Sequence, residues 1–276
     1  MSNSKPSVLT VAGSDSGGGA GIQADLRTFN AFKVYGSSVI TAVTSQNPDE
    51  VRRVDVLPEA AVRSQFEAVM AAFPVRFAKS GMLANAEIIG CVAEMVKKYD
   101  IRLVADPVMV STSGAKLLED SAVLAMQKLL LPAVEWLTPN IPEAELLCRC
   151  RITSPDDLAA AAMQLYQKYH CNCVLKSGHA ITSEEVTDTV CYQGKLFALT
   201  SPAVEVYGNT SHGTGCTLSA ALAANLAMGG NWQEALLAAK AFVYGSLCEN
   251  VKLTDSLFQM YPPEKSYFSK VSLREL

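Results

Sequence analysis

The chain lacks the marks of several large classes of protein. Its 276 residues hold no apolar run approaching the roughly 20 needed to span a bilayer, so no membrane partner is expected. Net charge is −4 and there is no basic cluster, which argues against nucleic acid as a partner. Met1 to Lys5 is a short polar stretch without the apolar core of a secretory signal, and a cytoplasmic location is expected. No internal repeat or low-complexity linker interrupts the sequence. A single domain over 1–276 is therefore expected, with its core over about 7–250 and a peripheral tail from Tyr261.

Three familiar motifs are also missing. The eight cysteines include two C-x-C pairs, Cys148/Cys150 and Cys171/Cys173, where zinc ribbons require C-x-x-C. Buried reduced thiols are the expectation. The loop Gly13 to Gly21 is rich in glycine but contains G-x-G-x-x-G in no register. The second strand ends Thr44-Ser45-Gln46, without an acidic residue for a ribose, so hydride transfer is disfavoured. Gly208 to Gly213 has phosphate-loop spacing, yet Thr214 stands where that loop needs Lys.

What is present is a strand–helix rhythm. Strands are expected at Ser7–Ala12, Ser37–Val43, Arg76–Lys79, Arg102–Ala105, Glu135–Leu137 and Cys173–Lys176. A hairpin follows at Val186–Tyr192 and Leu196–Thr200. Helices are expected at Ile22–Phe32, Glu59–Ala72, Ala86–Tyr99, Asp120–Leu130, Pro155–Tyr169, Thr217–Met228 and Trp232–Asn250. This alternation implies an α/β fold, a central mostly parallel β-sheet flanked by α-helices on both faces. Ligands in such folds bind beyond the carboxyl ends of strands.

The chemistry-bearing residues fall at those ends. Gly208-Asn209-Thr210-Ser211-His212-Gly213-Thr214-Gly215-Cys216-Thr217 precedes a helix, where free backbone N–H groups and the helix dipole attract anions. Cys216 at such a position should have a lowered pKa and can act as base or nucleophile. Asp106, Asn140 and Glu143 lie at consecutive strand ends, where three oxygen ligands suit Mg²⁺ with its waters. For Asn140 and Glu143 in isolation, a helix N-cap with Glu143 completing a capping box is the better account. Lys176 ends a strand, within reach of nucleotide phosphates. His179 and His212 flank glycine turns and read as hydrogen-bonded turn residues. Asp25 lies one helical turn beyond the first glycine loop. The Gln46 amide can both give and take hydrogen bonds, which suits the edge of a nitrogen heterocycle.

Six segments in order carry a family likeness: Ala12-Gly13-Ser14-Asp15-Ser16-Gly17-Gly18-Gly19-Ala20-Gly21-Ile22-Gln23-Ala24-Asp25-Leu26, Ser45-Gln46-Asn47, Lys79-Ser80-Gly81-Met82-Leu83, Asp106-Pro107-Val108-Met109, Thr138-Pro139-Asn140-Ile141-Pro142-Glu143-Ala144 and His212-Gly213-Thr214-Gly215-Cys216-Thr217. Over roughly residues 7 to 250 the chain resembles the ribokinase superfamily, most closely its hydroxymethylpyrimidine/phosphomethylpyrimidine kinases of thiamine biosynthesis. The resemblance implies a ribokinase-like fold, a homodimer, and phosphorylation of 4-amino-5-hydroxymethyl-2-methylpyrimidine and then its monophosphate, with ATP as co-substrate and Mg²⁺. It implies a pyrimidine pocket shaped by Gly13, Asp25, Gln46, Met82 and Val108. Cys216 would be the base, and Gly213, Thr214 and Gly215 the anion hole. Lys176 would bind ATP phosphates beside Thr214, and Asp106, Glu143 and Asn140 would organise the metal. The alternative within the same resemblance is a pyridoxal/pyridoxine kinase of vitamin B6 salvage. Gln46 favours the pyrimidine, because the resembling pyridoxal-specific forms place an apolar residue there. The segment after Asn250 departs from the family, lacking its Gly-His-Gly-Pro ending.

Overall fold

The computed structural model describes residues 5–109, 118–178, 184–206 and 210–276. Gly208, Asn209 and His179 lie outside them. In chain order the elements are β1 (Ser7–Asp15), α1 (Gly21–Ala31), β2 (Tyr35–Gln46), β3 (Val51–Val56), α2 (Glu59–Ala72), β4 (Phe77–Ser80) and α3 (Ala86–Lys98). Then come β5 (Arg102–Ala105), α4 (Asp120–Ala125), β6 (Val134–Leu137), α5 (Ile141–Cys148), α6 (Pro155–Tyr169) and β7 (Asn172–Leu175). The chain closes with β8 (Glu185–Tyr192), β9 (Lys195–Pro202), α7 (Thr214–Ala227), α8 (Trp232–Cys248), β10 (Val251–Lys252), β11 (Phe258–Gln259) and β12 (Ser272–Glu275).

Local chemistry explains several boundaries. Asn85 caps α3 by accepting from Ile88 N–H, and Ile88, Ile89, Val92, Met95 and Val96 recur at helical spacing on its buried face. Ser154 and Asp157 form a capping box around Pro155, and His170 ends α6 in the left-handed region. The expected helix Asp120–Leu130 divides. Regular α4 stops at Ala125, a π-turn covers Met126–Leu130, and Pro132 follows in a 3₁₀ turn, since proline cannot continue the α-helical ladder.

Ten strands form one sheet in the order β12-β9-β8-β7-β6-β5-β4-β1-β2-β3. The run from β7 through β2 is parallel, while β3, β8, β9 and β12 add antiparallel edges. Successive strand residues feed opposite cores, as the two-residue period requires. Leu9, Ala78, Leu103, Leu137 and Leu175 pack under α2, α3, α5 and α6. Val8, Phe77, Val104, Trp136 and Val174 pack under α1, α7 and α8. Gln193 and Gly194 turn the β8–β9 hairpin with positive φ at both positions.

Two strands of the ten-stranded sheet were not expected from the sequence, nor was the short β10–β11 pair. β3 is exposed along its length and pairs with β2, so it carries no burial pattern to read. The tail expected to be peripheral returns to the sheet, where Ser272 to Glu275 pair with Thr200 to Phe197. Backbone pairing at an edge needs no apolar signal, and the mostly exposed β12 carries little of one.

The connection from β1 passes to β2 on one side, and the later strands β4 to β7 are laid on the other. The order therefore reverses beside β1, opening a crevice at the carboxyl ends of β1 and β4.

Candidate active site

A cleft of about 740 Å³ occupies that crevice, lined by Gly13, Gln46, Lys79, Met82, Val108, His212 and Cys216 among others. A second pocket adjoins it, lined by Lys176, Asp188, Thr214, Gly215, Lys240 and Tyr244 among others. Residues of the first turn of α7 face both: Cys216 the first, Thr214 and Gly215 the second.

The helix begins at Thr214, three residues before the expected start, with Gly213 as its N-cap at φ 87°. A side chain at Gly213 would overlap the carbonyl oxygen of Gly19, so the glycine loop after β1 and the anion turn are fitted against each other. At Gly215 a Cβ would stand 3.0 Å from Lys176 Nζ and 3.2 Å from an Asp106 carboxylate oxygen. Lacking one, the turn can bring its backbone close to that ion pair, and Thr214 N–H itself donates to Ser211 O at 3.3 Å.

Lys176 donates to Asp106 Oδ1 at 2.9 Å, with both side chains largely buried. Burial would lower the lysine's pKa, but Asp106 and Glu143 outweigh it and hold the ammonium above its usual range. Beyond it, Lys240 donates to Asp188 Oδ2 at 2.7 Å, and Asp188 Oδ1 accepts Ser177 N–H at 3.0 Å. The sequence alone did not reveal this second buried lysine, which sits among helix-forming residues of α8.

Of the expected metal trio, Asp106 is bonded to Lys176, and Asn140 and Glu143 to each other. Asn140 Oδ1 caps Glu143 N–H at 2.9 Å, while Glu143 accepts from Asn140 N–H at 2.9 Å and Met109 N–H at 3.0 Å. The capping box is thus formed, and both Glu143 oxygens are engaged. Burial pushes the Glu143 carboxyl up to about 7, against the pull of Lys176. Among the described residues no group of three His, Cys, Asp or Glu side chains is arranged to hold a metal ion.

Two further expectations are corrected. Asp25 stands behind the cavity wall instead of in it: it is fully buried, bonded to Lys79 Nζ at 2.9 Å and Thr10 Oγ1 at 2.6 Å. Lys79 takes the place in the wall. The Cys216 thiol is raised, not lowered: desolvation dominates, and Lys79 opposes it only in part while Asp25 and Asp106 add to it. A backbone hydrogen bond from Gly21 also opposes the loss of water without reversing it.

Gly13, Gln46, Met82 and Val108 do line the cleft together. Val108 holds φ 46°, a strained setting for a β-branched residue and one that marks functional segments. His212, read from sequence as a turn residue, joins them, 3.2 Å from Asp15 and 3.4 Å from Gln46. No helix among the described residues is long and apolar enough to cross a membrane.

A helix start, of the kind whose N-terminus suits an anion, set between two pockets of an α/β sheet is the arrangement a phosphotransferase requires. The family model for phosphomethylpyrimidine kinase matches residues 15–260. A hydroxymethylpyrimidine/phosphomethylpyrimidine kinase of Haemophilus influenzae is 45% identical over 253 residues, 90% of this chain and 92% of that protein. A phosphomethylpyrimidine kinase structure from Clostridium difficile is 39% identical, covering 87% of this chain and 98% of its own, with TM-score 0.76. The pyridoxal kinase of Staphylococcus aureus in complex with AMP-PCP is 32% identical with TM-score 0.88, covering 99% and 100%. This chain belongs to the phosphomethylpyrimidine kinase family, and its fold is ribokinase-like.

Proposed function

We propose that this chain phosphorylates 4-amino-5-hydroxymethyl-2-methylpyrimidine with ATP, and then phosphorylates the monophosphate to the diphosphate, in thiamine diphosphate biosynthesis. The observation that carries the reading is the first turn of α7 facing both cavities. The acceptor ring lies in the larger cleft, where Gly13, Met82 and Val108 shape the walls and Gln46 reads the ring edge. The nucleotide lies in the adjoining pocket, its phosphates met by Lys176 and Thr214. The migrating phosphoryl group passes the N–H groups of Gly213, Thr214 and Gly215, which offset its charge. Cys216, on the acceptor side, takes the hydroxyl proton. Asp25 acts on the cleft through Lys79.

Mg²⁺ keeps much of its water and is held by one or two carboxylates plus substrate phosphates. Asp106, beside Lys176 under the anion turn, fits that demand. Glu143 and Asn140 are committed to each other and support the loop. When bound, the ion neutralises phosphate charge. We take the chain as one kinase domain over 1–276 and as cytoplasmic, and as homodimeric, as the family likeness implies.

The test is mass spectrometry of products from the hydroxymethylpyrimidine with Mg-ATP, with kcat/KM compared against pyridoxal. A kcat/KM clearly higher for pyridoxal removes the assignment. Pyridoxal kinase is the second reading because one observation favours it. The Staphylococcus aureus enzyme matches 99% of this chain, whereas the Clostridium difficile kinase matches 87%. Gln46 weighs the choice toward the pyrimidine.

A further inference from the structure

Gln46 and Asp15 approach one and the same atom. His212 Nε2 lies 3.4 Å from Gln46 Nε2 and 3.2 Å from Asp15 Oδ2. An ionised carboxylate only accepts hydrogen bonds, so a ring nitrogen facing one carries its hydrogen. An amide NH₂ only donates, so it cannot satisfy that same N–H. Asp15 is held ionised: burial would raise its carboxyl, but hydrogen bonds from His212, Ala20 N–H and Gly17 N–H outweigh this and lower it. A half-turn of the Gln46 amide removes the conflict, bringing Oε1 to the His212 N–H.

We propose that the Asp15–His212 pair fixes the sense of the Gln46 amide, so that the cleft selects a ring offering an amino donor beside an unprotonated ring nitrogen. A carbonyl oxygen has two lone pairs. One of Gln46 takes the imidazole N–H. The other, with the neighbouring amide N–H, forms an acceptor–donor edge toward the cleft. Asp15 and His212 are positioning residues that act through Gln46. The inference rests on the pyrimidine kinase reading and names how that site reads its substrate.

The surroundings hold this arrangement in place. Gln46 N–H donates to Ser16 Oγ at 2.8 Å, and that hydroxyl donates back to Gln46 O at 2.7 Å. Gly19 leaves room for the imidazole, since a Cβ there would stand 2.6 Å from His212 Cδ2.

The experiment compares the 4-amino substrate with its 4-oxo analogue, whose oxo group and ring N–H present the reverse order. An amide free to flip reads both rings; a fixed one does not. kcat/KM is measured for each ring in the wild type, His212→Leu, His212→Gln and Gly19→Ala. The ratio cancels changes in phosphoryl transfer common to both rings. We expect the amino-over-oxo ratio to fall about tenfold in His212→Leu and in Gly19→Ala, equivalent to about 1.4 kcal/mol. His212→Gln, which keeps a donor, retains it. The wild-type ratio in His212→Leu, or in Gly19→Ala should His212→Leu not fold, overturns the proposal. Failure of the wild type to phosphorylate either ring overturns the function itself, a distinct result.

Discussion

Lys79 Nζ stands 2.9 Å from both carboxylate oxygens of Asp25, and neither side chain reaches solvent. Thr10 Oγ1 completes the cluster from β1. Burial opposes the charge on each partner; their attraction outweighs it for the lysine, held above its ordinary range, whereas burial still leaves the Asp25 carboxyl raised. Removing one member strands a charge. Lys79→Met should cost about 3–5 kcal/mol, read from urea unfolding. Adding Asp25→Leu should recover part of that loss. A single variant within about 0.5 kcal/mol of wild type would show that the pair is neutralised in the native protein.

As the proposed base, Cys216 should divide the two phosphorylations. A hydroxyl acceptor must lose a proton, whereas a phosphate monoester, with its second pKa near about 6, is already largely ionised at neutral pH. Cys216→Ala should therefore lower kcat for the first step by about 10²–10⁴-fold, the range of general-base loss, and the second step far less. Equal losses in both steps would assign the thiol to packing or binding.

The pH dependence of the first step follows from the raised thiol. Activity that needs the thiolate should climb with pH beyond the ordinary thiol range of about 8.5. Cys216→Asp should move the rising limb toward acid, because a carboxylate ionises several units lower. A limb at the same pH in both proteins would remove the thiol from the proton transfer.

Gly213 combines positive φ with a crowded Cα, while Gly229 has φ 85° and nothing within 4 Å. Gly229→Ala should cost about 1–2 kcal/mol for the left-handed backbone alone. Gly213→Ala should cost more, because its Cβ meets the Gly19 carbonyl, and it should depress kcat by displacing the anion turn. Equal unfolding costs would mean that the contact with Gly19 relaxes freely.

Asp15 links the site to acid stability. Its folded pKa is below the ordinary value, so it stabilises the fold above about pH 3.9 and that contribution fades as pH falls through the folded pKa. Urea midpoints of wild type and Asp15→Asn should converge as pH drops from 6 toward about 3. A gap independent of pH would deny the carboxylate this role.

The sequence by itself determined the α/β alternation and most of its boundaries, because burial on both faces of a parallel sheet and helix caps leave periodic, local signals. Arg102–Ala105, Glu59–Ala72 and Pro155–Tyr169 have the bounds expected of them. It also marked Gly13, Gln46, Met82, Val108 and the turn at 213–216; the fold sets the first four and Cys216 around one cleft, and Thr214 and Gly215 on the adjoining pocket. Only the tertiary structure decided what depends on partners distant in the chain. The cluster of Thr10, Asp25 and Lys79 moved an expected pocket residue behind the wall. Desolvation reversed the direction expected for Cys216. His212 met Asp15 across 197 positions and Gln46 across 166. Edge strands β3 and β12, both largely exposed, join the sheet by backbone pairing, β12 with a partner distant in the chain, leaving little apolar pattern to read. Such relations are set by packing and loss of water, which no local spacing encodes.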